Sequence, residues 1–292
     1  MTESTDVAHL MRDRIMQWLG FKPRRLRKNI ETDRDLSRVA RLIARGEEPP
    51  GWQLLSSSAA ARVAHGTWHA QPVFLKIFLP RGYLEGLKAL LRGSRGVRAV
   101  DLSEQLTQAG FRTPPVLAHG WLTNQCEFVL TRAVPAAPML TYVTTRFGPP
   151  PLSLRERRQL LHECGREIAR LHRNGWIHGD LRLANILVTV NAPHAPNDFW
   201  FLDNEGNRKS RSQRQRLRNL VQMSMIRDEF QSTTDRMRLL NGYSAGMALD
   251  PIEHRELANL IRKARQRRWA RRERRGGPKA RFDPRSGEQR LP

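Results

Sequence analysis

Hydrophobic and polar positions alternate in the first third of the chain in the way that β-strands require. The stretch Val73–Leu79, VFLKIFL, carries an aliphatic side chain at every second position, which is a period of two. Strand-like segments also begin at Trp52 and at Cys126, and DLSEQLTQAG at 101–110 predicts a helix that ends at Gly110. The pattern therefore predicts a small unit of strands around one helix.

The second half of the chain has mainly helical spacing. Ser153 and Glu156 form an S-x-x-E capping box, and apolar residues follow at helical intervals until the RNG at 173–175. Two apolar runs, ILVTV and FWFLD, predict strands, and further helices are predicted from about Arg214 to Leu240 and from Ile252 to Arg275. The predicted fold class is therefore α+β and bilobal, with a small β-rich N-lobe and a larger helical C-lobe.

Composition divides the chain into four parts. Residues 1–50 are predicted to be a basic and helical extension, with a short amphipathic helix at 8–19 and the basic run KPRRLRKN at 22–29. The two predicted lobes are residues 51–136 and 137–260, and residues 261–292 are predicted to be a basic C-terminal tail.

The charge of the chain is strongly basic and unevenly spread. A net charge of +23 calls for an anionic partner, whether nucleic acid, nucleotide phosphates or an anionic lipid surface. Arg262–Arg281 contains eleven Lys and Arg residues against one Glu. This tail is compatible with docking on the inner face of the cytoplasmic membrane, with nucleic-acid binding, or with a solvated, partly disordered segment. Nucleic acid is the less favoured of the two anionic surfaces.

Cysteine count and hydropathy exclude several classes of protein. Cys126 and Cys164 are too few and too isolated for a disulfide framework or a zinc site, which favours a reducing cytoplasm. The N-terminal residues have acids and an RDR where a signal peptide needs an uninterrupted apolar centre. No window approaches the roughly 18 consecutive apolar residues of a membrane span. We therefore expect a cytoplasmic protein, with peripheral membrane attachment as the alternative.

A polar loop between the long predicted helix and the strand ILVTV carries the candidate chemistry. In HGDLRLAN, Asp180 and Asn185 stand in D-x4-N spacing, which lets a carboxylate and a carboxamide converge on one small volume. Asp203 ends the next apolar strand, so that hard oxygen ligands suited to Mg²⁺ collect there. Lys76 interrupts an apolar strand of the first lobe, where a buried ammonium needs an anionic partner such as a phosphate.

Each of these residues also has an ordinary structural explanation. Lys76 could snorkel to water from an edge strand, Asp203 could cap a turn, and His178 could be a satisfied core histidine. Their order along the chain favours chemistry, because a strand lysine, then H-x-D-x4-N between helix and strand, then an Asp after a strand is the phosphoryl-transfer arrangement of kinases. The sequence therefore predicts a protein-kinase-like fold.

The same residues carry a resemblance to a known family. HGDLRLANILV together with FWFLDNEG resembles the lipopolysaccharide kinase family, which includes the Kdo kinases, the heptose kinase WaaP and InaA-like proteins. AGFRTPPVLAHG and STTDRMRLLNGY resemble two further segments of that family, and the likeness extends from about Trp52 to Leu249. The catalytic-loop motif is specific to kinase-like folds, so the resemblance implies a phosphotransferase that uses ATP and Mg²⁺.

Carried over to this sequence, the resemblance implies a role for each residue. Asp180 would be the catalytic base, which orients and deprotonates an acceptor hydroxyl, and Arg182 would neutralise charge in the transition state. The remaining implied roles are metal ligation by Asn185 and Asp203, contact with the α- and β-phosphates of ATP by Lys76, and bracing of the loop against the Asp203 segment by His178.

Several departures from the usual kinase pattern are visible. Ser57 and Ser58, in LLSSSAAARV, stand where a Gly-rich loop is expected, although they could still offer backbone N–H groups and hydroxyls to ATP. DNE replaces D-F-G, and the acidic partner that kinases give to the strand lysine has two candidates for Lys76, Asp101 and Glu104. A pseudokinase is therefore an alternative.

The function implied by the resemblance is transfer of the γ-phosphate of ATP to an alcohol group. The implied acceptor is a sugar hydroxyl of the lipopolysaccharide core, on Kdo or on a heptose. The alternatives are a non-catalytic kinase-like binding module and a kinase with a protein substrate. The motif does not separate sugar hydroxyls from serine hydroxyls, because it concerns the phosphate side of the reaction.

Overall fold

The computed structural model describes residues 34–80, 93–123, 126–144, 152–192, 195–228 and 230–274, with the backbone of short strands at 281–282 and 289–290. These residues form two compact units. The strand-rich unit comprises the described residues up to Arg98 and Val116–Thr131, and the helical unit comprises Ala99–Pro115 and the described residues from Arg132 onward. The helix predicted at 8–19 and the basic run at 22–29 lie outside the described residues.

The strand-rich unit is built on one five-stranded sheet. Its elements in chain order are α1 (Arg34–Arg45), β1 (Trp52–Leu55), β2 (Ala61–Trp68), β3 (Gln71–Phe78), the first turn of α2 (Arg95–Gln108), β4 (Val116–Thr123) and β5 (Cys126–Arg132). The strand order is β1-β2-β3-β5-β4, and the pairs β1–β2, β2–β3 and β4–β5 are antiparallel. Val73, Leu75 and Ile77 of β3 are buried, as the period of two predicts.

Helix α1 belongs to the core of the strand-rich unit. Its buried residues Leu36, Ala40 and Ile43 recur at intervals of four and three, and they join the apolar cluster of the sheet. The extension predicted at 1–50 therefore does not stay outside the fold as a whole, because residues 34–45 are part of this core. The polar residues between the apolar positions of α1 give the segment the pattern of a charged linker.

A buried carboxylate fixes the start of α2 within the strand-rich unit. Glu127 on β5 is almost fully buried and accepts hydrogen bonds from Ser94 Oγ at 2.7 Å and Gly96 N at 2.6 Å. His119 Nε2 on β4 lies 3.2 Å away from the same carboxylate. Burial alone would raise the pKa of Glu127, but the bonds with His119, Gly96 and Ser94 hold that pKa below its ordinary value. The carboxylate thus satisfies donors of the first helical turn.

The helical unit contains most of the remaining chain. After the rest of α2, its elements in chain order are β6 (Ala137–Pro138), α3 (Met139–Thr144), α4 (Leu154–Arg173), β7 (Trp176–Ile177), β8 (Ile186–Thr189), β9 (Asp198–Phe201), β10 (Arg208–Lys209), α5 (Gln213–Met223), α6 (Thr233–Met247), α7 (Pro251–Arg274), β11 (Arg281–Phe282) and β12 (Gln289–Arg290). Three small sheets have the orders β6-β8-β9, β10-β7 and β11-β12.

Helices α4 and α6 approach each other closely enough for backbone contact. The capping box predicted at Ser153 and Glu156 is confirmed at the start of α4, with both reciprocal hydrogen bonds present. Farther along, a Cβ on Gly165 would collide with the Leu239 carbonyl, and a Cβ on Gly242 would collide with the backbone of His162. The absence of side chains at these two positions therefore permits the close packing of α4 against α6.

One predicted helix is in fact two. The segment predicted from about Arg214 to Leu240 divides into α5 and α6, separated by a connection at 224–232. Ser232 begins α6 as an N-cap, with its side chain accepting a hydrogen bond from Asp235 N at 3.1 Å. The STTD sequence is therefore the start signal of a new helix rather than part of a helix interior.

Helix α7 runs without interruption across the boundary predicted at residue 261. It carries no fully buried residue, but its partly buried Leu257, Ala258 and Ile261 pack against the core of the helical unit. Residues 262–274, for which a solvated, partly disordered segment is one of the predicted alternatives, are helical in the structure, and most of their side chains are exposed. Of the helices in the described ranges, none combines the length and apolar composition that crossing a membrane requires.

Candidate active site

The HGDLRLAN loop is held at both ends by strands of the helical unit. It leaves β7, which pairs with β10 in an antiparallel ladder, and it enters β8 through a 3-10 turn at Leu183–Asn185. Strand β8 pairs with β9, with Ile186 opposite Phe201, and the N–H of Leu202 donates to the carbonyl of Asn185 at 2.9 Å. The end of the loop is therefore placed beside the segment that contains Asp203.

Asp180 is partly exposed, and both of its carboxylate oxygens are engaged by neighbouring side chains. Arg182 forms a two-pronged contact, with Nε donating to Oδ1 at 3.0 Å and an Nη atom 2.9 Å from Oδ2. Gln222 on α5 donates its Nε2 to Oδ1 at 3.2 Å. The Asp180 side chain is 37% exposed, so an acceptor can reach the carboxylate if the Arg182 contact opens.

His178 is buried and joins the Asp180 loop to the Asp203 segment. Its Nε2–H donates to the carbonyl of Leu202 at 2.8 Å, and its Nδ1 accepts from the N–H of Asp180 at 3.1 Å. Burial lowers the pKa of His178, although the Leu202 bond and the nearby carboxylates of Asp203, Asp180 and Glu205 act in the opposite direction. The imidazole is therefore neutral at pH 7 and serves both bonds in one tautomer. These are the contacts that the predicted bracing role requires.

The backbones of the two loops also touch directly. A Cβ on Gly179 would lie 2.5 Å from Cα of Gly206, so the second residue of HGD cannot carry a side chain without displacing the loop after Asp203. The N–H of Gly179 donates to Asn207 Oδ1 at 3.0 Å, and Asn207 Nδ2 donates to Asn204 Oδ1 at 2.9 Å. Buried amides thus hold the segment in which DNE replaces D-F-G.

Asn185 and Asp203 offer oxygen atoms of the kind that Mg²⁺ prefers. Asn185 Nδ2 donates to the carbonyl of Asp180 at 2.9 Å, which leaves the amide oxygen of Asn185 as its ligand atom. Asp203 is exposed and adopts a left-handed backbone (φ 55°, ψ 48°), an uncommon conformation for a residue other than glycine and one often found at functional sites.

This donor set suits a metal ion that is bound together with phosphates. Among the described residues, no group of three or more His, Cys, Asp and Glu side chains could hold a metal ion. One carboxylate and one amide oxygen are nevertheless a fitting set for Mg²⁺, which keeps waters and substrate phosphates as its other ligands. The residues present therefore fit the ion that the resemblance implies.

Two residues of α5, Asn219 and Gln222, support the loop, and neither could be identified as a site residue from the sequence. Asn219 on α5 is fully buried, donates Nδ2 to the His178 carbonyl at 2.8 Å, and accepts from His178 N at 3.1 Å. Asn219 also donates to Gln222 Oε1 at 2.9 Å, and Leu181 N donates to that same oxygen at 3.3 Å. The contacts of Asn219 with His178 and of Gln222 with Leu181 join residues 41 positions apart, so no local sequence pattern predicts them.

A second buried histidine completes this network. His172 on α4 donates Nε2–H to Asn219 Oδ1 at 3.2 Å and accepts at Nδ1 from the hydroxyl of Tyr243 at 3.0 Å. Burial is the main cause that lowers the pKa of His172 to about 4, and nearby Arg216 adds to it.

We expect the helical unit to lose stability on mild acidification because of this histidine. The unfolded chain binds a proton on His172 below its ordinary pKa of 6.5, whereas the folded chain does so only near 4. Stability is therefore lost as the pH falls from 6.5 toward 4, by up to about 3 kcal/mol. Thermal melting followed by circular dichroism at pH 7 and pH 5 measures this loss. His172→Gln should be less stable at pH 7 but should lose less on acidification; an identical pH dependence in both proteins would contradict the expectation.

The other predicted site residues lie in the strand-rich unit. Lys76 is on β3 and is half-buried rather than buried as predicted, because it lies on the face opposite Val73, Leu75 and Ile77; its Nζ is 4.9 Å from the centre of the Phe78 ring. Ser57 and Ser58 lie in the connection between β1 and β2, where Ala61 N donates to the Ser58 carbonyl at 3.1 Å. The predicted partners of Lys76, Asp101 and Glu104, both lie on the part of α2 that belongs to the helical unit.

The fold and the site define the class of protein, and comparison with known proteins then assigns the family. A sheet-based unit, a helical unit and an H-x-D-x4-N loop that is followed by two paired strands and Asp203 define a kinase-like fold. The family model described as the lipopolysaccharide kinase (Kdo/WaaP) family matches residues 61–243. The match covers more than half of the chain, and the chain therefore belongs to this family of kinases.

Two individual proteins are also similar to the chain. A protein of Methanothermobacter thermautotrophicus, described as a probable bifunctional tRNA threonylcarbamoyladenosine biosynthesis protein, is 31% identical over 143 residues, which are 49% of this chain and 24% of that protein. The chain thus spans about a quarter of that relative's length. The solved structure of WaaP in complex with acyl carrier protein has a TM-score of 0.48 and 17% identity, and the match covers 85% of this chain and 95% of that one.

Proposed function

We propose that the chain is an ATP- and Mg²⁺-dependent kinase that transfers the γ-phosphate to a sugar hydroxyl of the lipopolysaccharide core, on Kdo or on a heptose. The observation that carries the proposal is the placement of Asp180 on a loop tied by His178 to the Asp203 segment, within a member of the lipopolysaccharide kinase family. A carboxylate beside a pair of metal-compatible oxygens is what transfer from a nucleotide to an alcohol needs.

The proposed chemistry divides among the residues of the helical unit. Asp180 takes the proton of the acceptor hydroxyl while the hydroxyl oxygen forms a bond to the γ-phosphorus, and the bond from that phosphorus to the bridging oxygen of ADP breaks. Arg182 turns from Asp180 toward the transferring phosphoryl group and offsets its charge. Asn185 and Asp203 would hold Mg²⁺, which when bound neutralises charge on the phosphates.

The strand-rich unit would supply the remaining contacts with ATP. Lys76 would bind the α- and β-phosphates, and Ser57 and Ser58 would take the place of the Gly-rich loop. Hydroxyls and backbone N–H groups can bind phosphate oxygens without glycine, although side chains limit how closely the backbone approaches.

A second candidate function involves nucleic acid. The relative from Methanothermobacter thermautotrophicus carries tRNA biosynthesis in its description, and α7 is rich in arginine.

Docking on an anionic membrane surface through residues 261–292 likewise remains a proposal. Two further candidate functions are non-catalytic binding and phosphorylation of a protein acceptor.

Turnover against a panel of acceptors tests the proposal. The full chain is incubated with Mg²⁺ and γ-labelled ATP in the presence of purified core oligosaccharide, a general protein acceptor such as casein, or transfer RNA. We expect label in the oligosaccharide alone, with mass spectrometry locating it on Kdo or heptose. Label in casein or in transfer RNA would show that the acceptor is a protein or a nucleic acid instead of a saccharide. Absence of transfer together with absence of a Mg·ATP-dependent thermal shift would favour non-catalytic binding.

A further inference from the structure

We propose that four arginines beside Asp180 form an anion-binding subsite that holds a carboxylate or phosphate group of the acceptor saccharide. We call Arg182, Arg218, Arg268 and Arg272 the arginine cluster. The inference rests on the proposed function, because it names the acceptor class of that same site. It also gives a place in substrate recognition to helix α7, the end of which the sequence assigns to a basic tail with membrane docking as one of its alternatives.

Helix α5 brings the first part of the cluster to the catalytic loop. Gln222 on α5 donates a hydrogen bond to Asp180, and Arg218 lies one turn earlier on the same helix. Residues four positions apart share a face of a helix, so Arg218 lies on the side of α5 that faces Asp180. Arg182 is already on the loop, in contact with both carboxylate oxygens.

Helix α7 brings the second part. Arg265 fastens α7 to the connection after α5, through hydrogen bonds to the Ile226 carbonyl and to Asp228. Arg268 and Arg272 follow Arg265 at intervals of three and four residues, which places all three on one face of α7. The face that is anchored near α5 is therefore the face that carries Arg268 and Arg272.

The electrostatic neighbours of Arg268 agree with this placement. Partial burial lowers the pKa of the Arg268 guanidinium, and repulsion from Arg182, Arg218 and Arg272 lowers it further, while Asp180 acts in the opposite direction. The guanidinium of Arg268 is thus within electrostatic range of the catalytic loop.

Among the residues that the structure describes, the cluster has more positive charge than its neighbours neutralise. Within the described ranges, neither Arg218 nor Arg268 has a carboxylate within salt-bridge distance, and Arg272 is stacked 5.5 Å from the centre of the Trp269 ring. Asp180, which offsets part of the charge around Arg268, is already in contact with Arg182. Like charges that converge beside a reactive carboxylate repel one another, and a bound anion relieves the repulsion.

The chemistry of the cluster selects an acidic saccharide. Guanidinium groups recognise carboxylates and phosphates through paired hydrogen bonds, and either group is found on an acidic core sugar. An anion in the cluster also gives Arg182 a second partner besides Asp180, which uncovers the base when the acceptor is in place. Acceptor binding and exposure of the base are thereby coupled.

Binding measurements test the subsite separately from catalysis. A fluorescent core oligosaccharide that bears both carboxylate and phosphate is titrated into the full chain, and the anisotropy of its fluorescence is followed. The double variant Arg218→Gln/Arg268→Gln is compared with Arg267→Gln, which removes an exposed charge from another face of α7. We expect the double variant to bind the oligosaccharide at least about tenfold more weakly, because hydrogen bonds between charged groups are lost. The control should bind like the wild-type chain.

Two modified probes identify which anionic group is bound. Loss of affinity on dephosphorylation assigns the phosphate, and loss on esterification of the carboxyl assigns the carboxylate. Equal affinity of the double variant, the control and the wild type would overturn the subsite even if transfer to the core sugar is observed. If no transfer is observed, the same binding comparison still decides on the subsite. Binding of transfer RNA that depends on Arg218 and Arg268, without oligosaccharide binding, would overturn the saccharide assignment.

Discussion

Asp180→Ala should lower the rate of phosphate transfer about a thousandfold while leaving the fold intact, because it removes the group that accepts the hydroxyl proton. The carboxylate makes its side-chain contacts to Arg182 and Gln222 at a partly exposed position. Its loss should therefore change the melting temperature little. Transfer of labelled γ-phosphate and thermal melting, measured on the same preparation, check both parts of the expectation.

Two further variants make the Asp180 experiment specific. Asp180→Asn keeps the shape of the side chain and an oxygen for Gln222, yet it cannot take a proton, so it should be as inactive as the alanine variant. Glu256→Ala removes one exposed carboxylate from α7 and should transfer phosphate like the wild-type chain. Retained transfer in Asp180→Asn would exclude Asp180 as the base.

Gly242→Ala should destabilise the helical unit by about 3 kcal/mol, because the added methyl group meets backbone rather than a movable side chain. A Cβ at this position would overlap the carbonyl group of His162 on α4, and relief requires the two helices to separate. Separation would disturb His172 and Tyr243, which bond to each other across the same interface. Urea unfolding followed by the helical circular-dichroism signal measures the change.

The matched control for this variant is the preceding residue. Asn241 is exposed on α6, so Asn241→Ala places the same methyl group in solvent and should leave stability unchanged or slightly raised. Unfolding of Gly242→Ala at the wild-type urea concentration would show that α4 and α6 tolerate separation, and close packing of the two helices would then not be required.

The features of this protein that depend on local pattern could be predicted from its sequence. The period of two in β3 and the capping box at Ser153 each depend on a few adjacent residues, and both are present in the structure. The order of Lys76, Asp180, Asn185 and Asp203 is sufficient to predict a kinase-like fold, because these residues come from three separate parts of the chain: a strand, a loop and the end of a later strand. Family membership confirms that prediction.

The features that could not be predicted depend on contacts between distant residues. Gln222 and Asn219 are ordinary polar residues of an amphipathic helix until the fold brings α5 under the catalytic loop. In the same way, α7 has the pattern of a charged tail because its polar composition hides the few aliphatic positions that dock it. Helix α1 was not predicted for a similar reason, since charged residues separate its three buried apolar residues.

The fate of the γ-phosphate, when the wild-type chain meets Mg²⁺, ATP and a core oligosaccharide, tests the central claim most directly. We predict a phosphate ester on a Kdo or heptose hydroxyl, identified by mass spectrometry and phosphorus NMR of the oligosaccharide. An unmodified oligosaccharide, with the phosphate retained in ATP or released only to water by a folded wild-type chain, would contradict the claim.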